Sequence, residues 1–323
     1  MKYDVFGIGN PLVDLLVRVD HTLLAELNLT KGSMHLLDEK DILKILKRLE
    51  KEKIHTAPGD STANTMAGIA NLGGSVCFCG KVGTDHHGIY YEETLNKHGV
   101  KHNLTKSEAI TGKAVTLITP DSERTFAVHL GAAVHLEKED VFEHELANSR
   151  FLHLTGYQLE NPKLRETALH AMELAKKYKV KISIDLADPH LIKRNLKDLK
   201  WIVKKYAYMV LINEQEAEAF TGKKPEEALH ELTEFAEVAI VKIGKKGSMI
   251  KHKDNIYIIK PYRAKTVDTT GAGDMYAAGI LYGLTHGYSL EKAGNIGSFA
   301  AAKVVEQVGA RLERSLKDYI KNL

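Results

Sequence analysis

The sequence predicts an α/β protein: a mostly parallel central sheet with helices on both faces, plus a small antiparallel β sheet standing off it as a lid. Three observations predict it. Short apolar runs of strand length alternate with helical stretches through most of the 323 residues, the mark of successive βαβ units. Two segments, 15–37 and 110–131, break that rhythm and read as extended or hairpin chain. A glycine-rich turn, Gly271-Ala272-Gly273, runs straight into a small-residue apolar helix.

Taken in order, "YDVFGIG" is a first buried strand. "TANTMAGIANLG" has helical spacing and a terminal glycine, and "SVCFCGKVG" follows as a strand. "FLHLTG", "KISIDL", "YMVLIN" and "VAIVKIG" are later strands, several preceded by helices such as "LRETALHAMELAKKYK". The 110–131 segment has strand-like halves around Pro120 and Asp121. No linker divides the chain, so residues 1–323 are expected to form one domain with the lid segments inserted in it.

Hydrophobic residues make up 44% and charged residues 27%, too apolar a mix for disorder. A net charge of +3 without a dense Lys/Arg block argues against nucleic acid as a partner. No apolar run approaches the ~18 residues of a membrane span. The opening "MKYDVFGIGN" reads directly into a strand, so a cytoplasmic location is expected. Cys77 and Cys79 are expected as buried, reduced thiols on opposite faces of one strand.

Familiar nucleotide motifs are missing. Every Gly-Lys pair lacks the Ser or Thr of a P-loop, and the lone G-x-G of "GIGNPLVD" is not a dinucleotide fingerprint. The turn in "TVDTTGAGDMYAAG" offers another route to phosphate. Its glycines let main-chain amides approach a ligand, and the helix behind them presents unpaired N–H groups and a positive dipole end. Asp274 then stands beside an anion site, either as a helix cap or as a general base.

"DTTGAGD" before a small-residue helix resembles the C-terminal signature of the ribokinase-like (PfkB) family of carbohydrate and nucleoside kinases. "APGDSTANTMAGIANLGG" is similar to the family's N-terminal signature. "GNPLVD" and "ERTFAVHLGAA" lean towards the adenosine kinase branch. The resemblance runs from about residue 3 to 311.

It implies that Asp274 is the catalytic base and that the amides of Gly271, Ala272 and Gly273 form an anion hole for the transferring phosphate. It places the acceptor's sugar hydroxyls at Asp14, Gly59, Asp60 and Asn64. Asp60 departs from the family, which usually has a second glycine there; the change either stiffens lid closure or adds a hydroxyl contact. Asn213 and Glu216, in "NEQEAEAF", match an element that orients the Mg²⁺–water shell of ATP. Lys242, Gly244 and Gly247 are assigned to ATP. Arg124, in the lid, is placed to reach the phosphates. Asp268 and Thr270, with the segment near Gly309, occupy the place of a possible potassium-like ion.

For the acceptor's base, Phe126 and Tyr157 could stack, while Gln158 and His190 stand where close adenosine kinase relatives carry aromatic surface. The implied activity is ATP- and Mg²⁺-dependent phosphorylation of a nucleoside 5′-hydroxyl, adenosine first. The alternative is a kinase of ribose, fructose or a sugar acid. A homodimer through the lid sheet is a further possibility.

Overall fold

The computed structural model describes residues 1–121, 123–321 and 323. Along the chain the strands begin with β1 Tyr3–Ile8, β2 Leu12–Arg18, β3 Met34–Leu36, β4 Ile54–Pro58 and β5 Val76–Gly83. Next come β6 Lys101–Ser107, β7 Thr111–Ile118, β8 Arg124–Gly131, β9 Ser149–Thr155 and β10 Lys181–Asp185. β11 Met209–Asn213, β12 Val238–Lys242, β13 Ser248–His252 and β14 Asn255–Ile259 come last.

Nine strands form the main sheet, in the order β14-β13-β12-β11-β10-β9-β1-β5-β6. From β6 to β12 every pairing is parallel, and β13 and β14 close one side as an antiparallel hairpin. Such a sheet is covered on both faces, so its strands read as unbroken apolar runs. β1 shows the consequence: Val5 packs into one core, Phe6 and Ile8 into the other. Helices Pro162–Lys177, Pro189–Tyr206 and Glu214–Thr221 cover one face; Ser61–Asn71, Ala272–Thr285 and Leu290–Val304 cover the other.

The small residues of helix Ala272–Thr285 have a packing reason. A Cβ on Gly279 would stand 2.4 Å from the Cα of Gly297, so only glycine lets the helix lie this close to Leu290–Val304. Cys77 and Cys79 are free and buried, as expected. Their expected opposite orientation is corrected: residues two apart on a strand share a face, and both pack in one core while Phe78 packs in the other.

The lid is a five-stranded sheet ordered β3-β8-β7-β2-β4. Its β7–β8 hairpin and β2–β4 pair are antiparallel, whereas β2–β7 and β3–β8 are parallel. β4 lies outside the two segments singled out from sequence. Alternation gives the sheet two unlike sides. Val13, Leu15, Val17, Val115 and Leu117 are buried with helices His21–Glu26 and Glu39–Arg48; Asp14, Leu16, Thr116 and Phe126 point the other way. Among the described residues no helix is long and apolar enough to cross a membrane.

Candidate active site

Strand order reverses at β1, which pairs with both β5 and β9. In an open α/β sheet the crevice at such a switch lies beyond the carboxyl ends of the strands. Asp185, Asn213 and Lys242 are the last residues of three neighbouring parallel strands, and Asn213 and Lys242 are direct register partners.

Helix Ala272–Thr285 begins at that edge. Its N-cap, Gly271, has φ 78°, a left-handed conformation that glycine adopts without strain. A Cβ there would lie 2.6 Å from the Cα of Ala310. The Ala272 amide donates to the Thr269 carbonyl at 3.2 Å, so it is already engaged, unlike the open three-amide cradle expected from sequence. The amides of Gly271, Gly273 and Asp274 have no acceptor among the described residues.

Asp274 lines the cavity ahead of this turn. The Ser61 hydroxyl donates to its Oδ1 at 2.5 Å and the Asn64 side-chain amide to its Oδ2 at 3.0 Å. Burial raises the carboxyl's pKa, and these two donors pull against that shift without cancelling it. Both come from helix Ser61–Asn71, so two segments over 200 residues apart meet at one carboxylate.

Asp60 caps that helix, its Oδ1 accepting from the Ala63 amide at 3.1 Å. Its φ is 76°, a backbone region that favours glycine and that a residue with a Cβ adopts only under strain. Oδ2 is buried without a partner among the described residues. Burial is the main reason its pKa climbs to about 7. Asp14 arrives from β2 of the lid. A Cβ on Gly59 would meet its Oδ1 at 2.7 Å, so glycine is what lets the main chain approach that carboxylate. Burial lifts Asp14 to about 6, with the Arg311 charge opposing.

On the other side of Asp274 a cavity of about 990 Å³ opens, lined among others by Lys242, Glu216, Tyr157, Gly244, Gly247 and Tyr262. Lys242 Nζ lies 2.6 Å from Asp185 Oδ2 and 3.4 Å from where a Cβ of Gly273 would be. Burial works against its charge, but Asp185 and Glu216 outweigh that and hold its pKa above the usual value. The structure thus puts a cation directly before the open amides.

Glu216, 2% exposed, has a structural task. It forms a reciprocal capping box with Asn213: its Oε2 accepts from the Asn213 amide at 2.8 Å, and Asn213 Oδ1 accepts from the Glu216 amide at 2.9 Å. Burial raises its pKa to about 7, against the pull of Lys242. Gly247, at φ 98°, would drive a Cβ to 2.0 Å from the Ile259 carbonyl oxygen, so it serves the turn into β13.

The remaining candidates scatter. Arg124 is exposed at the start of β8; the Asp268 pKa is lowered, against burial, chiefly by its Thr270 and Gly309 donors, with the Arg124 charge the smallest contribution. Phe126 is half-buried on the lid face that carries Asp14. Gln158 is 1% exposed, with neither amide atom partnered among the described residues. His190 is exposed in the first turn of helix Pro189–Tyr206 and is not among the cavity-lining residues. Asp268 Oδ1 accepts from the Thr270 amide and hydroxyl, and Oδ2 from the Gly309 amide at 3.1 Å. Its carboxylate therefore ties two loops together.

Sequence reading missed Ser61, Asp185 and Arg311. Asp185 was signalled by its place at the end of "KISIDL", where switch-point ligand groups sit. Ser61 follows Asp60 directly but carries no motif of its own. Arg311 lies in irregular chain, and nothing local marks it.

A buried lysine beside open main-chain amides and a carboxylate facing a large cavity suit phosphoryl transfer, and the family match makes the chain a kinase of the α/β class. The chain belongs to the PfkB family: the pattern described as pfkB family carbohydrate kinase matches residues 36–316. It is 30% identical to an uncharacterized sugar kinase of Archaeoglobus fulgidus over 76% of this chain and 96% of that one. It is also 30% identical to 5-dehydro-2-deoxygluconokinase of Bacillus subtilis, over 77% of this chain and 81% of the relative. Among solved structures, adenosine kinase from Sinorhizobium meliloti superposes with a TM-score of 0.89 at 30% identity, covering 100% of this chain and 99% of that one.

Proposed function

We propose that this kinase transfers the γ-phosphate of ATP to the 5′-hydroxyl of a nucleoside, adenosine foremost, with Asp274 as general base. The observation that carries the acceptor class is the lid face around Asp14. Register pairs Asp14 with Ala114, Leu16 with Thr116, Thr116 with Phe126 and Ala114 with Val128, so these side chains share one side of the sheet. Asp14 is the charged group in that set; Leu16, Phe126 and Val128 are apolar. A carboxylate suited to vicinal hydroxyls, set beside an apolar patch, fits a ribose carrying a flat base. A free sugar would leave the patch without a partner.

In the transfer, Asp274 takes the hydroxyl proton while the oxygen attacks the γ-phosphorus and the bond to the β–γ bridging oxygen breaks, releasing ADP. Lys242 and the open amides of Gly271 and Gly273 stabilise the charge on the moving phosphoryl group. Gly244 flanks the nucleotide side; Tyr157, which the sequence assigned to stacking on the acceptor's base, shares that cavity with Lys242 and Gly244 and is reassigned to the nucleotide side, and Arg124 approaches from the lid. Among the described residues no cluster of three or more His, Cys, Asp or Glu side chains could hold a metal. Mg²⁺ would then be ligated mainly by phosphate and water, with Glu216 acting through water, and it would supply charge neutralisation. A monovalent cation near Asp268 and Thr270 would depend on main-chain carbonyls, since the carboxylate is engaged.

A second reading, a sugar-acid kinase, is favoured by the relative named 5-dehydro-2-deoxygluconokinase. A coupled assay of ADP release against nucleosides and free sugars separates the two. Turnover with adenosine supports the nucleoside reading; rates confined to free sugars or sugar acids eliminate it. A homodimer is also proposed, through edge strand β3, where Met34 and Leu36 are 48% and 60% exposed.

A further inference from the structure

We infer that Arg311 is a positioning residue for phosphoryl transfer, setting which way the Asn64 amide faces and through it how Asp274 is held. The inference rests on Asp274 being the base.

Arg311 follows helix Leu290–Val304 and is only 7% exposed. Its Nε donates to Asn64 Oδ1 at 3.0 Å, and Nη2 donates to the Gly59 carbonyl at 3.2 Å. The Tyr91 hydroxyl donates to that same carbonyl at 3.0 Å, and the guanidinium carbon lies 5.7 Å from the Tyr91 ring centre.

A guanidinium has donors and no acceptor. The Asn64 oxygen must therefore face Arg311, which turns the Asn64 NH₂ towards Asp274. The two ends of an asparagine amide are nearly the same shape, so packing alone selects between them weakly. With Arg311 gone, the amide is free to rotate and point its oxygen at a carboxylate, an arrangement of two acceptors. The Nη2 bond to the Gly59 carbonyl fixes the guanidinium in the pose from which Nε reaches Asn64.

Two of the three guanidinium nitrogens are thus spent on Asn64 and Gly59, and Nη1 is buried with no partner among the described residues.

The test is a double-mutant cycle on kcat, at saturating ATP and saturating adenosine, or the free sugar that the acceptor panel selects. Arg311→Met is expected to lower kcat by about 10- to 100-fold. In an Asn64→Ala background the same change should cost less than about threefold, because the residue it acts through is gone. Equal losses in both backgrounds, or a loss confined to acceptor KM, would overturn the inference. If Arg311→Met is not recovered folded, Arg311→Lys takes its place in the cycle, since one ammonium cannot span both acceptors. If Arg311→Lys does not fold either, the residue is structural and the inference fails. Asp274→Asn, run alongside, separates this from the parent reading. Near-normal turnover there removes both; an inactive Asp274→Asn with a multiplicative cycle removes Arg311 alone.

Discussion

The Asn64 amide meets Asp274 Oδ2 at 3.0 Å across 210 residues of chain. With Ser61 on the other oxygen, the carboxylate is oriented before any acceptor arrives. Positioned donors of this kind cost nothing at the moment of reaction.

Ser61 favours the charged form of Asp274, so Ser61→Ala should raise the pKa of the base further. The working form is deprotonated, and the acid limb of the kcat profile should move to higher pH by roughly one to two units, the worth of one hydrogen bond to a charged group. kcat against pH in the two proteins checks this. A limb that stays put, or moves to lower pH, contradicts it.

Asp60 holds a positive φ that costs a non-glycine residue about 1–3 kcal/mol, offset in part by a cap of about 1 kcal/mol. Asp60→Gly loses the cap and releases the strain, whereas Asp60→Ala loses the cap and keeps it. Urea denaturation should rank Asp60→Gly above Asp60→Ala by about 1–2 kcal/mol. An alanine variant as stable as the glycine one would show that the backbone there is unstrained.

Lys242 is paired with Asp185 in a largely buried setting. Lys242→Met leaves that carboxylate unpaired and should destabilise the fold by about 3 kcal/mol. Adding Asp185→Leu should recover much of the stability but none of the turnover, because the charge before the anion site is still missing. Thermal melts and ADP release together test this. Recovered activity in the double variant would remove Lys242 from the transfer step.

Burial lifts Asp14 from an ordinary 3.8 to about 6. Between those values the native state binds more protons than the unfolded chain, so this group's contribution to stability falls as pH rises from about 4 to about 6 and stays lost above. Asp14→Asn removes the titration. Relative to the unaltered protein it should gain stability through that window, by up to about 3 kcal/mol. Urea midpoints of the two proteins that run parallel from pH 4 to 7 would contradict this.

How much of this was legible in the sequence follows from how local each signal is. The parallel sheet was readable because buried strands such as "YMVLIN" and "VAIVKIG" carry continuous apolar runs. The Gly271–Asp274 turn was readable because a helix start is encoded within a few residues. β4 was not, since "IHTAP" lacks alternation and pairs only once the lid is assembled. Asn213 and Glu216 were found as a motif, yet their capping box was overlooked, although spacing of three at a helix start signals one. Arg311 was unreadable because its role depends on partners 247 and 252 residues away.

The most direct test of the site is the turnover of Asp274→Asn, with circular dichroism and melting to confirm an unchanged fold. Loss of at least about 100-fold in kcat in a folded protein is the predicted result. Turnover near that of the unaltered enzyme would mean that this carboxylate does not take the acceptor's proton.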